Sequence, residues 1–136
     1  SGYVGLVAGA CFADTGNTVY CVDKDAKKIE ALKRGEIPIF EPGLDTLVKR
    51  GTSEGRLLFT QSYSEAIGAC EIVFLAVGTP SLSTGEPDLS YLKAAAEEVA
   101  RNIPTLVGAA SLALTPGKGR AVIAAAAATP APFAQV

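Results

Sequence analysis

Histidine, methionine and tryptophan are absent from the 136 residues. Without histidine, no catalytic mechanism resting on imidazole can operate within the chain. Without methionine, Ser1 follows no initiator in this sequence, and the chain is expected to be a piece of a longer protein. Cysteine is scarce. Cys11, Cys21 and Cys70 form neither a CxxC pair nor an even framework, which predicts a reduced, cytoplasmic setting and no metal site. No apolar run reaches the roughly 18 residues that span a bilayer, and the first residues lack the order of a signal peptide. Neither sign of charge dominates: 12 Lys+Arg stand against 14 Asp+Glu, for a net charge of -2. That balance argues against a partner of nucleic acid or acidic membrane. What is present is core material. Hydrophobic residues make up 49% of a chain long enough for one domain.

The chain opens with glycines followed by small and apolar residues at helical spacing, Val4, Val7, Ala8 and Cys11, until Gly16 and Asn17 stop the pattern. TVYCV (18–22) is β-branched and aromatic and predicts a buried strand ended by Asp23. Residues 24–34 place Ile29 and Leu32 on one face amid lysines, an amphipathic helix closed by Gly35. EIPIFEPGL (36–44) is a loop that carries Ile37, Ile39 and Phe40 and must pack on something. A short helix over 44–50, a strand over 57–60 and a capping box from Ser62 to Glu65 follow. EIVFLAV (71–77) is almost wholly apolar and predicts a parallel strand covered on both faces. After the turn-rich GTPSLSTGEPD, Asp88 is placed to cap a helix from Leu89 to about Asn102. Beyond Pro104 the signal weakens. Thr105–Leu114 could hold a strand, and the alanine-rich stretch from Ala121 onward reads as low complexity, partly helical at best. Alternating strands and helices predict an α/β, Rossmann-like, doubly wound parallel sheet over residues 1–104, with a divergent Ala/Pro-rich tail over 105–136. The strand that should precede the first glycines is missing, so the sheet is expected to be incomplete.

A glycine-rich turn entering a helix offers free backbone N–H groups and a positive dipole end to a phosphate. Gly2-Tyr3-Val4-Gly5 supplies the last part of G-x-G-x-x-G; glycines at this spacing also serve simply in turns and packing. Asp23 strengthens the reading. It ends an apolar strand about 20 residues after the glycines, where a carboxylate accepts hydrogen bonds from both hydroxyls of an adenine ribose. A carboxylate there repels a 2′-phosphate, which favours NAD over NADP. The plainer role for Asp23 is N-cap of the helix over 24–34, and it could serve both purposes.

With these residues in register, GYVGLVAGACFADTGNTVYCVDKDAKKIEAL, IPIFEPGL, GRLLFT, EIVFLAVGTP and PDLSYLKAAAEEVA resemble, in order, the N-terminal part of the UDP-glucose 6-dehydrogenases. These belong to the wider nucleotide-sugar dehydrogenase family. The resemblance covers residues 1 to about 103. It implies oxidation of UDP-glucose to UDP-glucuronate with two NAD+ and water, and a homo-oligomeric full-length enzyme. In that chemistry a cysteine thiol holds the intermediate aldehyde as a thiohemiacetal, then a thioester that water hydrolyses. It also implies cofactor-binding roles for Gly2, Tyr3, Val4 and Gly5 in the dinucleotide loop, with Val4 acting through its backbone. Asp23 is implied at the adenine ribose, Lys28 reaching back to the same end, and Thr79 of AVGTP toward the nicotinamide. Without the resemblance, Lys28 reads as a solvated helix lysine and Thr79 as a turn residue before Pro80.

No catalytic residue carries over. The family's nucleophilic cysteine lies in a G-x-C-F-P-K-D type motif beyond residue 136. Cys11-Phe12 is followed by Ala13-Asp14 on the first helix, and Cys11, Cys21 and Cys70 all read as core or strand cysteines. The family's K-S-T-V-P-V-G-T-G stretch falls on Ser111–Gly119, where its threonine is replaced by Ala113. Two alternatives remain at this point: a non-catalytic dinucleotide-binding module, or a related GDP-mannose or UDP-N-acetylhexosamine dehydrogenase.

Overall fold

The computed structural model describes residues 2–68, 70–103 and 120–125, the last stretch as main chain only. The element order is α1 (Tyr3–Asp14), β1 (Thr18–Asp23), α2 (Ala26–Lys33), α3 (Leu44–Ser53), β2 (Leu57–Thr60), α4 (Tyr63–Ile67), β3 (Ile72–Leu75), α5 (Ser90–Asn102) and β4 (Arg120–Ala125). The four strands form one sheet in the order β2-β1-β4-β3, and every pairing is parallel.

The alternation of β1 divides the core in two. Val19 and Cys21 join Leu6, Ala10 and Ala13 of α1, Ile29 and Leu32 of α2, and Leu44 and Val48 of α3 on one face. Val22 faces the other way, with Tyr63, Ala66 and Ile67 of α4 and the half-buried Val99 of α5. Helices on both faces of a parallel sheet are the doubly wound architecture expected from the sequence.

α1 buries Leu6, Ala10 and Ala13 and leaves Val4 and Cys11 exposed. Cys11 is therefore not a core cysteine, whereas Cys21 is buried and Cys70 half-buried. The stretch VGLVAGACFA contains no polar residue, so nothing in its periodicity says which stripe faces inward. At the end of α1, Thr15 Oγ1 and Asn17 Nδ2 both donate to the Phe12 carbonyl. Gly16 then turns the chain at φ 96°, in the left-handed region. Arg56 Nε donates to the Ala13 carbonyl at 2.8 Å and Arg50 pairs with Asp14. These contacts fasten the C-terminus of α1 to α3 and the start of β2.

Ser62 Oγ accepts from Glu65 N–H at 3.1 Å, as the capping box predicts. The reciprocal half runs through Thr60, whose hydroxyl accepts from Ser62 N–H and donates to Glu65.

Two expectations are corrected. Among the described residues β3 is not covered on both faces: it lies at the sheet edge, with Ile72, Phe74 and Leu75 partly exposed. Phe74 stacks on Phe12 at a centroid distance of 5.0 Å. The stretch from Ala121, read as low complexity and partly helical at best, instead contributes β4, which lies between β1 and β3. Thr18 pairs with Arg120 through to Asp23 with Ala125, and Ile72 with Ala121 through to Leu75 with Ala124. Two flanking strand edges offer backbone partners to any extended segment between them, and this outweighs alanine's helical preference. The strand considered over Thr105–Leu114 and the stretch Ser111–Gly119 lie outside the described residues.

Candidate dinucleotide site

Because all strands run parallel, their carboxyl ends share one edge of the sheet. α1 leads into β1 through a tight turn and packs back along it, so the N-terminus of α1 returns to that same edge. Gly2 is its N-cap, extended at φ -73° and ψ -177°, with no side-chain cap and no acidic residue in the first turn. The amides of Tyr3, Val4 and Gly5 precede the first intrahelical bond, from Leu6 N–H to Gly2 C=O at 2.9 Å. A Cβ built on Gly2 would meet nothing within 4 Å, so this end is open. A row of N–H groups unclaimed among the described residues, at a positive helix end, has the chemistry of a diphosphate site.

Asp23 closes β1 at the same edge. Its side chain is fully buried and pairs with Lys28 Nζ at 2.9 Å, while the Lys28 side chain remains 21% exposed. The second carboxylate oxygen of Asp23 accepts from Asp25 N–H at 3.0 Å. The helix cap is Asp25, not Asp23: Asp25 Oδ1 accepts from Lys27 N–H and Lys28 N–H. With the capping done by Asp25, Asp23 is held as a charge between an amide and an ammonium. A ribose reaching this carboxylate would share it with Lys28.

Thr79 is exposed in the loop after β3, on the carboxyl side of the sheet. That loop is folded by Leu82 N–H to Glu86 C=O, Gly85 N–H to Leu82 C=O and Asp88 N–H to Pro80 C=O. Asp88 Oδ1 accepts from Ser90 N–H, and hydrogen bonding from the Ser90 hydroxyl first and its N–H second holds the Asp88 carboxyl below the ordinary carboxylate range.

Glu41 was not singled out in the sequence, yet the fold brings it to α1: Tyr3 Oη donates to Glu41 Oε2 at 2.6 Å. This bond raises the Tyr3 phenol above its ordinary pKa. Only the apolar character of the EIPIFEPGL loop, which had to meet some other element, hinted at such a contact.

A profile of the UDP-glucose/GDP-mannose dehydrogenase family, NAD binding domain, matches residues 1–109. The chain belongs to this family. Among its relatives, the UDP-glucose 6-dehydrogenase of Rhizobium meliloti is 59% identical over 104 residues, 76% of this chain and 24% of that protein. The UDP-glucose 6-dehydrogenase TuaD of Bacillus subtilis is 52% identical over 103 residues, 76% of this chain and 22% of that protein. The chain thus spans about a quarter of the length of these relatives. A ternary complex of GDP-mannose dehydrogenase from Pseudomonas aeruginosa superposes with a TM-score of 0.75 at 31% identity, over 91% of this chain and 26% of the other. A UDP-glucose dehydrogenase from Pyrobaculum islandicum gives a TM-score of 0.71 at 42% identity, over 74% and 23%. The family's cofactor is NAD, and the open amide row and the Asp23–Lys28 pair fit it. Among the described residues no helix is long and apolar enough to cross a membrane.

Proposed function

We propose that this chain is the NAD-holding part of a UDP-glucose 6-dehydrogenase, an enzyme that oxidises UDP-glucose to UDP-glucuronate with two NAD+. We place it in the cytoplasm and in a homo-oligomer when full length. The observation that carries the reading is the buried Asp23–Lys28 pair at the end of β1, on the sheet edge to which the open first turn of α1 returns. The amides of Tyr3, Val4 and Gly5 bind the diphosphate, and Gly2 leaves room for it. Asp23, oriented by Lys28 and the Asp25 amide, accepts from the adenine ribose and excludes a 2′-phosphate. Thr79 lies toward the nicotinamide. Bound NAD+ supplies the hydride acceptor. The named relatives, both UDP-glucose 6-dehydrogenases, support UDP-glucose over other nucleotide sugars. Residues 1–104 hold all of these binding groups and none of the catalytic ones, so the chain alone forms no NADH from UDP-glucose.

Calorimetric titration of the chain with NAD+ and NADP+ tests the reading. Asp23→Ala is expected to weaken NAD+ about tenfold or more, the worth of one charge-assisted hydrogen bond, and to narrow the preference over NADP+. Unchanged constants for both cofactors would refute the ribose role.

A further inference from the structure

The EIPIFEPGL loop is fixed at its flanks and bare at its tip. Ile37 and Ile39 pack against the larger core cluster. Leu44 is buried where α3 begins, just after Gly43 at φ 83°. Between them Phe40 is 92% exposed, and a hollow of about 370 Å³ is lined by Ile37, Phe40, Glu41, Asp45 and Lys49 among others. A loop tip with so little packing is expected to move unless a specific bond holds it. That bond is Tyr3 Oη to Glu41 Oε2, which joins the loop to the first turn of α1 across 38 residues of sequence.

We infer that Glu41 is a positioning residue for the cofactor: by accepting the Tyr3 hydroxyl it fixes the Tyr3 side chain and the loop tip beside the open amides of α1. This rests on the NAD reading above. Glu41 touches no cofactor atom in this role. It acts through Tyr3, whose side chain is half-exposed and would otherwise sample several rotamers at the mouth of the site. Ordering that side chain before the cofactor arrives removes a cost from binding, and this is the whole of the expected effect.

The test uses the 136-residue chain and three variants, Glu41→Ala, Glu41→Gln and Tyr3→Phe, with NAD+ as the probe. Glu41→Ala and Tyr3→Phe are each expected to weaken NAD+ about three- to tenfold, the range of a single net hydrogen bond. The double variant is expected to do no worse than either alone, because both remove the same bond. Glu41→Gln keeps an acceptor oxygen and is expected to stay within about twofold of the parent. A second readout is independent of the cofactor. Tyr3 titrates above the ordinary phenol value because of Glu41, and carbon-13 tyrosine NMR should show it falling back in Glu41→Ala. A Tyr3 titration indifferent to Glu41→Ala overturns the proposal, since the contact is then absent in solution. NAD+ binding that is unchanged in Glu41→Ala and Tyr3→Phe, but lost in Asp23→Ala, overturns the positioning role and leaves the cofactor reading standing. A parent chain that binds no NAD+ overturns both.

Discussion

Replacing Lys28 by methionine removes the ammonium from a carboxylate that has no exposure of its own. The two groups are 2.9 Å apart, with Asp23 fully buried and the Lys28 side chain 21% exposed. Breaking a buried pair by deleting one partner costs about 3–5 kcal/mol, because an uncompensated charge remains. Two features place this case at the low end: Asp23 keeps its bond from the Asp25 amide, and the partial exposure of Lys28 lets solvent screen part of the interaction. The expected loss is about 3 kcal/mol. Methionine preserves the apolar stem, so lost packing contributes little. At this chain length roughly 3–5 °C accompanies each kcal/mol, so the thermal midpoint should fall by about 10 °C. Urea denaturation followed by circular dichroism gives the same quantity from the shift in midpoint at constant slope. The decisive comparison is the double variant, in which Asp23→Asn removes the stranded charge. It should regain about 2 kcal/mol over Lys28→Met alone, since a neutral amide is far cheaper to bury than a carboxylate without its counter-charge. A loss below about 1 kcal/mol for Lys28→Met, or a double variant no more stable than the single one, would show that Asp23 is solvated in solution and that the pair is an ordinary surface contact.

Gly51 of α3 lies against β2: a Cβ there would sit 3.0 Å from Leu57 Cβ and 3.4 Å from Ala13 Cβ. Gly51→Ala should therefore destabilise by about 1 kcal/mol in urea titration, overpacking outweighing the gain in helix propensity. The Tyr63 hydroxyl is buried and finds no hydrogen-bond partner among the described residues, and burial raises its pKa, helped by the charge of Glu98. Tyr63→Phe should raise stability by about 1 kcal/mol, and a clear loss would reveal a bond to that hydroxyl. Thiol alkylation followed by mass spectrometry should modify exposed Cys11 first, half-buried Cys70 next and buried Cys21 last. Burial raises the Cys70 pKa above its ordinary value, so its neutral thiol is the form the fold favours. Its contribution to stability is complete below the unfolded-state pKa and is lost as pH rises through the folded one. Cys70 should accordingly need a higher pH than a free cysteine for the same alkylation rate.

The parts of this fold legible in the sequence are those whose signal is local. TVYCV ending in Asp23, LLFT, and Ser62 ahead of a short helix can each be read from neighbouring residues, and each is present. α1 was legible as a helix but not in its orientation, because an all-apolar segment has no polar face to set its phase. EIVFLAV was legible as a strand but not as an edge, because hydrophobicity records what a strand can bury rather than its place in the sheet. RAVIAA was missed for a third reason. What makes it a strand is the pair of open edges on β1 and β3, both supplied by residues far away in sequence. The candidate site divides in the same way. Gly2 and Asp23 occupy positions that a spacing rule can find. The choice of Asp25 over Asp23 as helix cap, and the reach of Glu41 to Tyr3, depend on backbone geometry that spacing alone does not carry.

The seating of β4 between β1 and β3 also makes this part of the sheet depend on a long-range pairing. Thr18 pairs with Arg120, so within the described residues the β1–β4 ladder joins segments far apart in sequence. Among the described residues α1, α2, α3 and β2 dock around β1 from nearby sequence, whereas the facing edges of β1 and β3 are joined by β4. Such edges are templates for any passing extended segment, including the same strand from another chain. Closure over so long a separation is slow, since the chain loses loop entropy before any of the ladder forms. Within residues 2–125, the interval between formation of β3 and arrival of β4 is therefore when these edges are most open to mispairing.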